Sequence, residues 1–371
     1  MIWFFVFIFI LYAILIIALA FGFAKVDEFK PENLEPKTSF SVVIPFRNEA
    51  ENLPKLLKSI SLLKYPKELV EFIFVDDASS DDSVKVIEDI LPNNKMSINV
   101  IKNNRTSNSP KKDAITTAIS IAKNNWILTT DADCILPENW LKTFDAFIQQ
   151  NNPKMVVAPV NYIAINNSSE QFQLLDFMSL QGTTVGSFGM GHPFLCNGAN
   201  LAYQKQEFLK LNGFDGNENI ASGDDIFLFE KFLENDKKSV QFLKSKNAIV
   251  STFPVKTNID LVHQRVRWVS KTSNIKSVGV KLIGVLLLLV NLSIVFSIFL
   301  SDNIFVIFTP LFFKIIIDMF LFIPTINFYN HKKTFYKWYL FCSFFYPFFS
   351  VFIVLKSVFS NYNWKGRSFK K

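Results

Sequence analysis

The sequence predicts an α/β domain built on a mostly parallel sheet with helices on both faces, carried by apolar membrane segments. Long apolar stretches sit at both ends of the chain, and between them short β-branched runs alternate with helix-patterned segments. Acidic clusters directly after two of those runs indicate where a ligand should be sought, at the carboxyl edge of the sheet.

Half of the 371 residues are hydrophobic and 42 are Phe, more than a soluble core of this length needs. Residues 1–24 carry no charge, which satisfies the roughly 20 apolar residues a helix needs to span a bilayer. A cleaved signal peptide fits less well: the start is not basic and the apolar run is too long, although Ala18-Leu19-Ala20 faintly resembles a cleavage site. Three further apolar stretches cover residues 278–300, 304–326 and 335–359. The predicted organisation is therefore an N-terminal transmembrane helix at 1–24, a domain at 25–277, and a C-terminal membrane region with a basic tail at 278–371.

Cys134, Cys196 and Cys342 are few and far apart, so they predict neither a disulfide framework nor a zinc site, and a reducing setting follows. The net charge of +7 comes from scattered Lys and Arg without a basic, aromatic-interleaved stripe. That pattern speaks against nucleic acid and for anionic lipid.

Within the central region, residues 39–45 (SFSVVIP) read as a buried strand and 49–63 as a helix. The pattern repeats with strands at 69–75, 97–101 and 126–130 and helices at 80–90 and 113–123; a fifth strand is expected at 155–159. The second strand runs into Asp76-Asp77 and the fourth into Asp131-Ala132-Asp133, so both clusters should face one crevice. No Gly-x-Gly-x-x-Gly follows the first strand, which makes a dinucleotide site improbable. A helix from 168 to about 180 should give way to a loop rich in small residues, with Gly182, Gly186, Gly189, Gly191 and Gly198 allowing close backbone approach or mobility. The Gly182–Gly186 spacing is too weak a signal for helix packing outside a membrane span.

The acidic clusters suggest chemistry. A departing diphosphate concentrates negative charge, which Mg2+ or Mn2+ can offset while taking only a few protein carboxylates and leaving positions for phosphate oxygens. Asp131 and Asp133 are the candidate metal ligands, although turn formation alone explains many Asp-x-Asp pairs. Gly223-Asp224-Asp225 precedes a helical pattern at 226–233; the plain explanation is that these carboxylates cap the helix, and the functional one is a general base, Asp225, with which capping by Asp224 is compatible. Gln264-Arg265-Val266-Arg267-Trp268 offers guanidinium groups for diphosphate and an indole for a sugar ring, residue types that a helix at lipid headgroups would also use. His192, His263 and His331 show no ligand spacing.

Taken in order, Val42-Val43-Ile44-Pro45-Phe46-Arg47-Asn48-Glu49, Val75-Asp76-Asp77-Ala78-Ser79-Ser80-Asp81, Asp131-Ala132-Asp133, Gly223-Asp224-Asp225 and Gln264-Arg265-Val266-Arg267-Trp268 resemble glycosyltransferase family 2 from about Ser39 to Trp268. The resemblance implies a GT-A fold and a membrane-bound transferase using a nucleotide-sugar donor, with UDP favoured. On the donor side it implies Pro45, Glu49, Asp76, Asp77, Lys111, Asp131, Gln264, Arg265, Arg267 and Trp268. Metal would be held by Asp131 and Asp133, and Asp225 would be the base of an inverting reaction. Cys196-Asn197-Gly198-Ala199-Asn200 resembles the segment lining the acceptor side, with Asn197, Gly198 and Asp224 named there. Gly223-Asp224-Asp225 departs from the Thr-Glu-Asp of cellulose-synthase-like members, and only about three apolar segments follow. Both departures favour single transfer to a lipid or lipid-linked glycan, similar to ceramide glucosyltransferases, over a processive polysaccharide synthase. A catalytically silent binding or assembly protein is the alternative of another class.

Lys25 and Lys30 after the first apolar stretch, and Lys271, Lys276 and Lys281 around the start of the second, predict a cytoplasmic catalytic domain on the cytoplasmic membrane. With the next two stretches crossing, His331-Lys332-Lys333 returns inside. A full crossing by the last would leave Trp364, Lys365, Arg367, Lys370 and Lys371 outside, so residues 335–359 are expected to break near Pro347 and re-enter, or to lie in the interface.

Overall fold

The run Phe-Ser-Val-Val-Ile-Pro-Phe forms β1 (Phe40–Phe46), buried along almost its whole length as the middle of a parallel sheet requires. The computed structural model describes residues 2–369 except 33, 91–95, 164–166, 273 and 301. Lys370 and Lys371 of the basic tail lie outside the described residues. The chain divides into two compact units: a sheet unit of Asp27–Tyr162 and Leu195–Phe253, and a helical unit of Met1–Val26, Ile163–Phe194 and Pro254–Lys371. Elements are numbered along the whole chain.

In the sheet unit β1 is followed by α2 (Leu53–Ser61), β2 (Val70–Asp76), α3 (Ser83–Ile90), β3 (Ser97–Lys102), α4 (Pro110–Ile121) and β4 (Trp126–Thr129). Then come α5 (Trp140–Asn151), β5 (Met155–Val157) and β6 (Val160–Tyr162); after the excursion into the helical unit the chain returns as β7 (Leu201–Gln204), α7 (Lys205–Lys210), α8 (Ile226–Asp236), β8 (Val240–Phe242) and β9 (Val250–Thr252). The main sheet has the order β3-β2-β1-β4-β7-β5-β8. All of its pairings are parallel except the two made by β7, which runs antiparallel between β4 and β5. In register, Phe46 lies beside Asp76 and Asp76 beside Lys102, so the carboxyl ends of β1, β2 and β3 finish level. β6 and β9 form a separate parallel pair.

The five expected strands are in place, and so are the helices between them. β6 to β9 went unread because strands of three or four residues carry no usable period. α5 follows its apolar spacing of Trp140, Leu141, Phe144, Phe147 and Ile148 and ends at Asn152, whose φ of 46° stops the helix in the left-handed region.

The helical unit holds α1 (Ile2–Lys25), α6 (Ser168–Gly189), α9 (Asn258–Thr272), α10 (Val278–Leu300), α11 (Ile304–Tyr329) and α12 (Lys332–Phe359), closed by a hairpin of β10 (Tyr362–Trp364) and β11 (Arg367–Phe369). Among the described residues, α1, α10, α11 and α12 supply four helices long and apolar enough to cross a membrane. The expected domain at 25–277 is thus interrupted, because Ile163–Phe194 and the segment from Pro254 join the apolar helices.

Two local expectations are overturned. The glycine-rich loop is helix: α6 continues through Gly182, Gly186 and Gly189. A methyl group on Gly186 would strike the Leu19 carbonyl of α1, one on Gly22 the Gly186 carbonyl and one on Gly189 the Gly22 carbonyl, so the missing side chains let two helices meet backbone to backbone. At Gly182 the close neighbour is instead a side chain, the Thr325 hydroxyl of α11. The second correction concerns Pro347, which lies inside an unbroken 28-residue α12. A proline inside a helix packed among other helices is tolerated, because its neighbours re-satisfy the freed carbonyl.

The helical unit is pinned by buried polar contacts. Tyr12 of α1 donates to Asp318 of α11, which also receives Lys314 one turn away. Gln181 of α6 accepts from the Tyr329 hydroxyl at 2.8 Å, and Gln173 exchanges two hydrogen bonds with the Val255 backbone. Arg265 of α9, only 5% exposed, places Nε 2.6 Å from Asp176 of α6 and lays its guanidinium over Trp268.

Candidate active site

At the carboxyl edge of the sheet two turns interlock. Asn48, with φ of 52°, accepts from the Ser80 backbone and gives its own N–H to Ser79, while Arg47 donates to the Asp77 and Ala78 carbonyls. Glu49 is buried, and its backbone N–H donates to the Ser83 hydroxyl at 2.7 Å. Asp76 accepts from the Ser79 N–H, closing the turn. Pro45 stands in β1 opposite Val75 and removes one ladder donor just before this turn.

Asp77 is 4% exposed and receives Asn103 Nδ2 at 2.8 Å and Arg105 at 3.5 Å. Arg105 also reaches Asp113 at 3.1 Å, and Asp113 gathers the Thr106 and Ser107 N–H groups in addition. Burial would push the Asp113 carboxyl up, but the hydrogen bonds from Ser107, Arg105 and Thr106 prevail and hold it below the usual aspartate range. Asn103 and Arg105 were not singled out from the sequence. Their position directly after β3, at the same edge as Asp76, was the available signal.

Lys111 is the centre of a charged cluster. It stands in the first turn of α4, a helix started by Pro110, and its Nζ lies 2.6 Å from Asp131 and 3.1 Å from Asp224. Burial acts to lower its pKa, yet the charges of Asp131 and Asp224, with Asp225 beyond them, raise it and keep the ammonium charged. Asp131 follows β4 and is the more open of the two carboxylates, with 38% of its side chain exposed against 12% for Asp224. The next residue, Lys112, turns inward and holds the Asn217 and Ile220 carbonyls at 2.6 and 2.9 Å. That contact anchors the segment leading to Gly223-Asp224-Asp225.

Of the two carboxylates it is Asp225 that caps α8: Asp225 Oδ1 accepts from the Ile226 N–H at 2.8 Å, while Asp224 turns to Lys111. Asp225 Oδ2 lies 3.4 Å from the Gly198 N–H. Gly198 needs no side chain here, since a Cβ would sit 3.0 Å from Asp224 and 3.6 Å from the Lys111 ammonium. Asn197 shapes the turn by accepting from the Ala199 N–H, and Thr129 of β4 donates to the Gly198 carbonyl. Lys111, Asp131, Gly198, Asp224 and Asp225 therefore form one cluster, drawn from four separated stretches of chain.

Asp133 has the buried Cys134 thiol 3.8 Å away. Burial and then the Asp133 and Asp131 charges push that thiol well above its ordinary pKa, so it stays protonated. Among the described residues no three His, Cys, Asp or Glu side chains gather into a closed metal cage. Asp131 and Asp133 are the carboxylates that could hold a hard cation with positions left for phosphate oxygens, and Asp131 already attracts one cationic group, the Lys111 ammonium. Gln264, Arg265, Arg267 and Trp268 lie on α9 in the helical unit, where Arg265 is taken up by Asp176.

A mostly parallel sheet with one antiparallel strand, bearing acidic turns at the carboxyl ends of its strands, is the GT-A fold of nucleotide-sugar transferases. The sequence model described as Glycosyl transferase family 2 matches residues 41–208, from β1 through β7 into α7. Mannosyltransferase PcManGT from Pyrobaculum calidifontis, solved in complex with GDP-Man and Mn2+, shares the fold with a TM-score of 0.55 at 13% identity, over 96% of both chains. Poly(ribitol-phosphate) beta-N-acetylglucosaminyltransferase TarS of Staphylococcus aureus is 28% identical over 118 residues, covering 32% of this chain and 20% of TarS. Undecaprenyl-phosphate 4-deoxy-4-formamido-L-arabinose transferase of Proteus mirabilis is 38% identical over 94 residues, covering 25% of this chain and 28% of that protein. The chain thus matches less than a third of the length of these two curated relatives.

Proposed function

We propose that this protein transfers a sugar from a nucleotide-sugar donor, a UDP-sugar in the first instance, to a lipid or lipid-linked acceptor at the cytoplasmic face of a membrane. The observation that carries the reading is the Lys111 cluster: Asp131 on the donor side and Asp224 and Asp225 on the acceptor side are gathered around one buried ammonium. Asp77, held by Asn103 and Arg105, lies with Asp76 at the end of β2, where a nucleoside is recognised in this reading. Asp131 and Asp133 would hold Mg2+ or Mn2+, which when bound offsets charge on the departing diphosphate.

Asp225 then takes the proton from the acceptor hydroxyl. Its cap position fixes the carboxylate through the Ile226 N–H and leaves Oδ2 directed toward Gly198. One base acting opposite the leaving group gives inversion at the anomeric carbon. Gln264, Arg265, Arg267 and Trp268 belong to the other unit, so the crevice is explained here without them.

The test is a donor screen with membrane lipid extract as acceptor, read by mass spectrometry, with the anomeric configuration of the product read by NMR. Calorimetry of UDP-sugar with Mn2+ on wild type and Asp133→Asn checks the metal assignment; equal binding by the two defeats it. Absence of transfer with every nucleotide sugar would favour a binding or assembly protein instead. A second reading, a processive synthase, draws on one further relative: Poly-beta-1,6-N-acetyl-D-glucosamine synthase of Staphylococcus epidermidis is 23% identical over 238 residues, covering 62% of this chain and 53% of the synthase. A ladder of products in the same assay would establish it over single transfer.

A further inference from the structure

We infer that Lys111 is an internal counter-ion that keeps divalent metal out of the crevice until a nucleoside diphosphate draws its ammonium away from Asp131. The inference rests on the proposed metal-dependent transfer and concerns the order in which that site is filled. Lys111 stands within hydrogen-bond distance of Asp131, the carboxylate expected to share the metal with Asp133. A metal arriving alone must compete with a covalently tethered cation that is already desolvated and charged.

The surroundings favour that resting state. Asp131, Asp224 and Asp225 all act on the one ammonium, so its charge is strongly held while no other anion is present. A diphosphate changes the balance, because it brings new negative charge that can accept Lys111 and ligate the metal at the same time. Gly198 leaves the flank of the pair open, since a Cβ there would come within 3.0 Å of Asp224 and 3.6 Å of the ammonium. Asp224, once left by Lys111, has another polar group to turn to: the Tyr203 hydroxyl is buried with no hydrogen-bond partner among the described residues, and the Asp224 charge pushes its phenol up after burial itself. Metal and nucleotide are thereby made to load together.

The experiment measures Mn2+ binding to the full chain in detergent, by the EPR signal of free Mn2+, with and without UDP or GDP. Wild type should bind Mn2+ weakly alone and more tightly with the nucleotide. Lys111→Met should bind Mn2+ alone about tenfold more tightly than wild type, the loss of one charge-assisted contact on Asp131. Lys111→Arg keeps the charge and should behave as wild type. Asp224→Asn leaves Lys111 to Asp131 alone and should weaken Mn2+ binding in the absence of nucleotide, which gives an independent readout of opposite sign. The gain in Lys111→Met should vanish in Lys111→Met/Asp133→Asn. Unchanged metal-alone binding in Lys111→Met, with wild type still binding Mn2+ alongside nucleotide, overturns the counter-ion role and leaves the proposed function standing. No Mn2+ binding by wild type with either nucleotide overturns both.

Discussion

The ammonium of Lys111 lies 3.1 Å from Asp224, joining the first turn of α4 to the turn that enters α8. Through this contact and the 2.6 Å contact to Asp131, carboxylates from two separate stretches of chain, proposed to serve donor and acceptor, share one partner. Neighbouring carboxylates so arranged divide their work by what else they touch. Asp225 is fixed by backbone N–H groups, whereas Asp224 is fixed by a side-chain cation.

That division predicts unequal effects. Asp225→Asn should lower transfer by about 10³-fold, the range of a lost general base, with nucleotide binding retained. Asp224→Asn should lower it less, by about tenfold, through loosened positioning of Lys111. Steady-state rates beside nucleotide titrations check both, and equal losses in the two variants would refute the assignment of the base to Asp225.

Gly186 is predicted to be intolerant of any side chain. Gly186→Leu should separate α1 from α6 and cost about 3 kcal/mol or more, the scale of severe overpacking. A lowered thermal midpoint in detergent, with a matching loss for Gly189→Val, is the expected result; an unchanged midpoint contradicts the close approach at Leu19 and Gly22.

Asp113 should contribute to acid sensitivity. Its folded pKa lies below its unfolded value near about 3.9, so its stabilisation is complete above that value and fades as pH falls through the depressed folded pKa. Asp113→Asn should cost about 2 kcal/mol at neutral pH, from lost charge-assisted bonds to Arg105, Thr106 and Ser107. Its stability curve should also flatten below about pH 4 relative to wild type. Chemical denaturation followed from pH 7 downward reads both effects.

Arg265 and Asp176 should behave as a pair. Removing either partner alone strands a buried charge and should cost about 3–5 kcal/mol, while the double change Arg265→Met/Asp176→Leu should recover most of it. A double-mutant cycle on thermal stability measures the coupling; additive losses would mean the two do not interact.

The reach of the sequence varied from one element to the next. β1, β2 and β4 were legible because a buried parallel strand is an unbroken apolar run, and Asp76, Asp77, Asp131 and Asp133 were legible because they follow such runs. The first part of α6 is legible and its continuation through Gly182, Gly186 and Gly189 is not, since glycine is a poor helix former in isolation and becomes favourable only where a second backbone, here α1, lies against it. Pro347 misled for a similar reason: proline is hostile to a lone helix, and the packing of α12 overrode that preference.

By itself the sequence determined the alternation of strands and helices, the four apolar helices and the chemical kinds of residue at the strand ends, because each depends on neighbours within a few positions along the chain. Tertiary structure alone decided which carboxylate caps α8, that Lys111 bridges Asp131 and Asp224, and that Arg265 turns to Asp176. Those pairings join residues far apart in sequence. A charged side chain seeks whatever opposite charge the fold brings within a few ångströms, and no local pattern records that choice.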